Sequence, residues 1–281
     1  MAGVAGAEPV SPPDGAAGAY EKGLSLQSGK NAPPDPVAAR QEFEKAAAEG
    51  HALAAVQLGI LHANGSGGPR DDERALKYFR QAADAGQREA IYNKGLFLLQ
   101  GRGAPRNLDE ALSSLAAAAA AGSIPAHVKL ADLFYFGAEG IKKDHVRALP
   151  HVKAAAVGGD AWACNILGTM AEFGQAMKAD RSAALHLFTV AAEKGDAKAQ
   201  GNLGRLLRIG KPDDHDKVRS YVWLKLASLQ GNSMATYQLG LHVRTLTPAQ
   251  VAKGDREVEE FKKARAGNGA DPTGRPPQAQ E

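Results

Sequence analysis

A glycine returns in this sequence every 36 residues, and that period restricts the fold more than any other feature of the chain. The glycines closing the Ala-Ala-x-x-Gly pattern (Ala-Ser in the last) are Gly50, Gly86, Gly122, Gly159, Gly195 and Gly231, spaced 36, 36, 37, 36 and 36 residues apart. The one extra residue falls between Gly137 and Gly140, where neighbouring units carry Gly65-x-Gly67 and Gly101-x-Gly103. A fixed period of this length means one supersecondary unit repeated, each copy burying its apolar face only against the next.

Other columns keep the same register. Gly23, Gly59, Gly95, Ala131, Gly168, Gly204 and Gly240 form one, and Ala54, Ala90, Ala126, Ala163, Ala199 and Ala235 a second. Phe43, Phe79, Leu115, Val152, Phe188 and Leu224 form a third, of larger residues. Glycine inside a helix costs roughly 0.5–1 kcal/mol against alanine, so its recurrence calls for a packing reason: two helices approaching closely. A polar column, Asp35, Asp71, Asn107, Asp144, Asp180 and Asp216, lies four residues before an Ala or Ser and predicts helix N-caps. Pro36 suits the first helical position after Asp35.

Each unit is therefore helix A, a glycine-rich loop, and helix B ending on a glycine that takes a left-handed cap. A helices are expected near 16–28, 52–63, 88–99, 125–136, 160–173, 197–208 and 233–244. B helices are expected near 36–48, 72–84, 108–120, 145–157, 181–193, 217–229 and 248–265. Thr247-Pro248-Ala249-Gln250 offers the last helix a capping box, and Val251, Val258 and Phe261 give it an apolar face suited to a terminal cap. The expected fold is all-α: a right-handed α-solenoid of about seven helix-turn-helix repeats over residues 16–266, with residues 1–15 and 267–281 as disordered tails rich in Pro, Gly and Gln.

The Ala52-x-Ala54-x-x-x-Leu58-Gly59, Gly65-x-Gly67, Asp71 and Ala82-Ala83-x-x-Gly86 series resembles the Sel1-like repeat, a relative of the tetratricopeptide repeat. The resemblance runs over about residues 16–266 and is of a bacterial cast at Leu246-Thr247-Pro248-Ala249-Gln250. Ala131 replaces the column glycine once, Lys22 and Lys94 replace the leucine, and Gly174-Gln175-Ala176 and Gly210-Lys211-Pro212 lose the second loop glycine. The resemblance implies a protein-binding scaffold or adaptor, in bacteria one of envelope signalling or regulation. A cysteine-rich subgroup is linked to penicillin binding, but its paired cysteines are missing here. An enzyme-like cell-wall or β-lactam-binding activity is thus the alternative, and a self-assembling structural repeat a third reading.

By transfer from related solenoids, A-helix side chains at offsets −6, −3, +1, +4 and +5 from the column glycine face a concave groove. The offsets select the aromatic residues Tyr20, Tyr92, Tyr135, Phe136, Trp162 and Tyr237, with Asn165, Glu172, Lys198, Arg205, Arg208 and Arg244. The partner-binding candidates carried forward are Tyr92, Tyr135, Trp162, Asn165, Lys198, Arg205, Arg208, Tyr237 and Arg244. A partner segment is expected with its apolar part near Tyr135 and Trp162 and its acidic part near Arg205, Arg208 and Arg244.

Charge agrees in sign. Residues 1–140 carry 13 basic and 16 acidic side chains and residues 141–281 carry 21 and 15, within a net charge of only +3. That balance is too small for a nucleic-acid-binding field. The eight histidines show no i, i+4 pair and no HExxH spacing, and Cys164, the one cysteine, permits neither an intrachain disulfide nor a thiolate cage. Neither a metal nor a cofactor is expected, nor catalysis. The loop glycines lack Walker spacing, and their recurrence in unit after unit argues for structure. Lys22 is the first basic residue, with no apolar h-region before it, so a soluble cytoplasmic chain is expected as written, and a periplasmic or secreted one if the sequence is a mature form. Oligomeric state stays open.

Overall fold

A computed structural model describes residues 14–29, 33–138, 140–209 and 213–267. They form fourteen α-helices: α1 (Asp14–Ser28), α2 (Pro36–Ala48), α3 (Ala52–Asn64), α4 (Asp72–Asp84), α5 (Arg88–Gln100), α6 (Leu108–Ala120), α7 (Ile124–Phe136), α8 (His145–Val157), α9 (Ala161–Phe173), α10 (Arg181–Glu193), α11 (Ala197–Leu207), α12 (Asp214–Leu229), α13 (Ser233–Val243) and α14 (Pro248–Gly267). The chain divides into two compact units, residues 1–130 and 131–281, with the division inside α7. The expected tails lie outside the described residues except at Asp14, Gly15 and Gly267.

In each unit the hairpins α1/α2, α3/α4 and α5/α6, and α9/α10 and α11/α12, are the most extensive helix pairs, and α2, α4, α8, α10 and α12 each also pack on the following A helix. This is the α-solenoid arrangement that the period dictates. The column glycines explain it: a Cβ on Gly59 would lie 2.4 Å from the Phe79 ring, on Gly168 2.8 Å from Phe188, and on Gly204 2.7 Å from Leu224. Those B-helix side chains are fully buried. The hairpin is a large residue pressed onto bare backbone.

The B helices begin where the polar column predicts. Asp35, Asp71, Asn107 and Asp180 each accept the amide three residues on, at 2.9–3.1 Å, and Asp144 accepts from both Val146 and Arg147. Asp216 is the exception. Asp213 caps α12 by accepting the Asp216 amide at 2.7 Å, and Asp216 lies in the first turn. Asp213 precedes Asp216 by the spacing of a capping pair, so the helix starts one turn early.

At the other end the amide of the residue after each closing glycine reaches back to a buried alanine carbonyl, as in His51 N to Ala46 O at 3.0 Å and Asp196 N to Ala191 O at 3.1 Å. At every one of these positions but Gln87, the same residue's side chain then caps the next A helix: Ser123, Asp160, Asp196 and Asn232 through oxygen, His51 through Nδ1 at 3.2 Å to Ala54 N. One short segment thus ends a B helix and starts the following A helix. The second loop glycines stitch repeats together, since a Cβ on Gly67 or Gly103 would lie 2.1 Å from the Pro36 or Asp72 carbonyl oxygen of the preceding B helix. Where the spacing rises to 37, a pair of backbone bonds between Ala138 and Ile141 closes the enlarged loop.

The fourteenth helix forms as expected and its capping box is made: Thr247 N donates to Gln250 Oε1 at 2.8 Å and Gln250 N to Thr247 Oγ1 at 3.3 Å. It packs on α12. Val258 is buried among Val218, Val222 and Leu226, Phe261 meets Trp223 edge-on at 5.4 Å, and Gly254 admits the Tyr221 ring. The Tyr221 hydroxyl donates to Asp255 Oδ1 at 2.6 Å, with Lys225 on the same carboxylate.

Candidate partner-binding surface

The offset-selected residues separate into those the fold consumes and those it leaves outside. In the first unit Tyr20 stacks on His51 at 4.3 Å, and burial raises its phenol pKa. Tyr92 is half-buried in a cleft of about 410 Å³ lined by Arg88, Glu89, Asn93 and the segment Gly122–Pro125. Burial raises its pKa too, so it presents a neutral phenol.

In the second unit Tyr135 is only 7% exposed: its hydroxyl donates to Gln175 Oε1 at 3.0 Å and its ring stacks on His145 at 4.8 Å. Asn165 is 3% exposed, its Oδ1 accepting from Asn202 at 2.9 Å. Both bridge segments of the fold. Arg205 is held by Glu172, another offset-selected residue, so the cation comes with its own counter-ion. The half-buried Arg208 reaches the Gln238 carbonyl at 3.5 Å. Lys198 and Arg244 are exposed, Tyr237 is 65% exposed, and Trp162 is half-buried beside Phe136 at 6.4 Å.

The same offsets also place residues outside the candidates carried forward, Phe136 among them. Position +5 is Phe136 and Phe173 at the ends of α7 and α9 and Ile209 just past the end of α11, and these are 55%, 63% and 47% exposed. On α13, Met234 and Leu241 flank Tyr237 at −6 and +1, both exposed. Three large apolar side chains in water at one register point are unlike a core, where they would be covered. An alignment of the repeats on the column glycine exposes this column; an apolar residue at a helix end reads otherwise as packing.

Cys164 is buried, its Sγ 3.8 Å from the Ala156 carbonyl, and burial pushes its thiol pKa up, away from thiolate chemistry. Among the described residues, Asp213, His215 and Asp216 bring ligand-type atoms within 4.8 Å. Both carboxylates have structural work there, Asp213 as a cap and Asp216 against Arg219 at 3.5 Å. Among the described residues no helix is long and apolar enough to cross a membrane.

The Sel1 repeat profile matches residues 16–51, 52–87, 88–123, 124–156, 163–196 and 197–232, so the chain belongs to the Sel1 repeat family. Proteins of this family generally mediate protein–protein interaction and are generally non-catalytic. A solved Sel1 repeat protein from Oxalobacter formigenes is similar at 26% identity and a TM-score of 0.62, over 75% of this chain and 84% of that one. The protective antigen c5321 of uropathogenic Escherichia coli, which displays an SLR fold, is similar at 21% identity and a TM-score of 0.59. That match covers 91% of this chain, which spans 62% of the antigen's length, and it shows the fold alone. No curated protein matches the sequence.

Proposed function

We propose that the chain is an adaptor that holds a segment of another protein along the exposed residues of its A helices, without turnover. The observation that carries this is the +5 column: Phe136, Phe173 and Ile209 stand in solvent at or just past the ends of three successive A helices. Exposed aromatic residues of this kind are the usual anchors of interfaces, burying much area at little rotamer cost. In this reading Phe136, Trp162, Phe173 and Tyr237 take the apolar part of the segment, and Lys198, Arg208 and Arg244 its acidic part. Arg205 contributes less, because recruiting it means giving up Glu172. Tyr135 and Asn165 act by holding the surface in shape, and Tyr92 supplies a separate contact within the first unit. The family resemblance supports extending this reading to a role in bacterial envelope signalling or regulation.

Affinity capture of the native chain, repeated with Phe136→Glu plus Phe173→Glu and separately with Arg208→Glu plus Arg244→Glu, tests the assignment. The expected result is loss of the main partner with the first pair and weakened, salt-sensitive capture with the second. An unchanged partner set with both pairs removes this surface from consideration.

A further inference from the structure

Among the described residues, the seventh A helix, α13, packs on α12 of the preceding hairpin but has no B helix of its own folded onto it. In α3 and α11 the A-helix face at offsets −1, 0 and +3 is covered by its own B helix: Leu58, Gly59 and His62 are buried, as are Leu203, Gly204 and Leu207, and the column glycines Gly23, Gly95 and Gly168 of α1, α5 and α9 are buried too. The same face of α13 is Leu239, Gly240 and Val243. Leu239 is half-buried, the other two are exposed, and a Cβ on Gly240 would meet no atom within 4 Å.

The sequence of α14 explains the vacancy. Continuing the 36-residue register from α12 puts Arg256, Glu260 and Lys263 where α4 has Ala75, Phe79 and Ala82. Three charged side chains cannot enter an apolar hairpin without losing hydration. The connection is also short, four residues (244–247) where α3 and α4 are joined by seven (65–71). Val258 and Phe261 of α14 instead lie on the face that meets α12.

We infer that this face of α13 is a docking site for an amphipathic helix of a partner protein, one carrying the pattern Asp-x-x-x-small-x-x-x-large apolar-x-x-small. This face shares Arg244 with the surface of the preceding subsection and otherwise uses other offsets, so Gly240→Leu separates the two. What covers such a face is visible within the chain: Asp71, Ala75, Phe79 and Ala82 in α4, and Asp180, Ala184, Phe188 and Ala191 in α10. Charge specifies the orientation. In these hairpins the cap residue of helix B sits against the C-terminal end of helix A, Asp71 N donating to His62 O at 2.9 Å and Asp180 N to Ala171 O at 2.8 Å. On α13 that end carries the exposed Arg244, which meets the acidic cap of an incoming helix. A second copy of this chain has its matching B helices already buried in its own hairpins.

The test uses a fluorescent peptide copying residues 70–86, held helical by a lactam bridge between exposed positions, titrated into the full chain. Saturable binding is expected. Gly240→Leu in the protein and Phe79→Ala in the peptide should each weaken it roughly tenfold or more, the loss typical of a central apolar contact. Arg244→Glu should weaken it by a smaller factor and remove its salt dependence. Thermal unfolding of the Gly240→Leu chain, expected at or above the parent midpoint, confirms that the variant folds. No saturable binding by the helical peptide, or binding indifferent to Gly240→Leu, overturns the inference. So does a chain that is dimeric in light scattering and becomes monomeric with Gly240→Leu, since the occupant is then a second copy.

Discussion

Helices α3 and α13 occupy equivalent places in the repeat, each with the column glycine, the preceding leucine and a side-chain cap, yet one is sealed and the other open. The glycine of α3 lies under a fully buried phenylalanine; the glycine of α13 faces solvent. The difference teaches that the A-helix half of the code is permissive. Pairing is decided by the following helix, by whether its register residues are small, large and small, and by a loop long enough to deliver them.

The strongest way to break the comparison is to make α3 resemble α13. Phe79→Ala removes the large member and should cost about 3–5 kcal/mol, measured by denaturant unfolding. A loss under about 1 kcal/mol would mean that the hairpin does not depend on this contact. A sharper test makes the same substitution in both helices. Gly59→Ala forces a methyl into the Phe79 ring and should cost roughly 1–3 kcal/mol, whereas Gly240→Ala meets open space and should stabilise by about 0.5–1 kcal/mol. Equal signs at the two positions would refute the account of the vacancy.

The smallest effect concerns how the two following helices are tied down. Asp72, in the first turn of α4, is gripped by Arg102 at 2.7 Å and Arg70 at 2.8 Å, which hold its carboxyl well below the usual range. Asp255 of α14 is lowered likewise, by Lys225 and then Tyr221 of α12. A lowered carboxylate stabilises the fold fully above its unfolded pKa of about 3.9 and loses that contribution as pH falls through its folded value. Asp72→Asn should therefore cost about 1 kcal/mol at neutral pH and progressively less in acid below that value, followed by thermal unfolding across pH.

The architecture is largely legible in the sequence because the period, the caps and the glycine and alanine columns are local and repeat six or seven times. Even α14 is readable as a helix, from its capping box and its Val251, Val258 and Phe261 face. Its choice of α12 over α13 is encoded too, in Arg256, Glu260 and Lys263, but only a comparison with the other B helices reveals it. The polar column misplaces the cap of α12 because Asp213 and Asp216 compete within one turn, and spacing alone does not choose between them. The binding surface is legible as positions rather than as exposure. Tyr135 and Asn165 obey the offsets and are covered by Gln175, His145 and Asn202, neighbours whose reach depends on loop and helix geometry. Phe173 and Ile209 obey them as well and stay in water. The pairing of Arg205 with Glu172 joins two successive A helices, at +1 and +4, and no single repeat displays it.

Cys164 gives this fold a built-in clock. The only thiol in the chain is sealed at the seam where α9, α10 and α11 meet, so an alkylating reagent reaches it only when that seam parts. The rate of its modification under native conditions then counts the spontaneous openings of one repeat, and a partner that braces the second unit should slow the count without touching the sulfur.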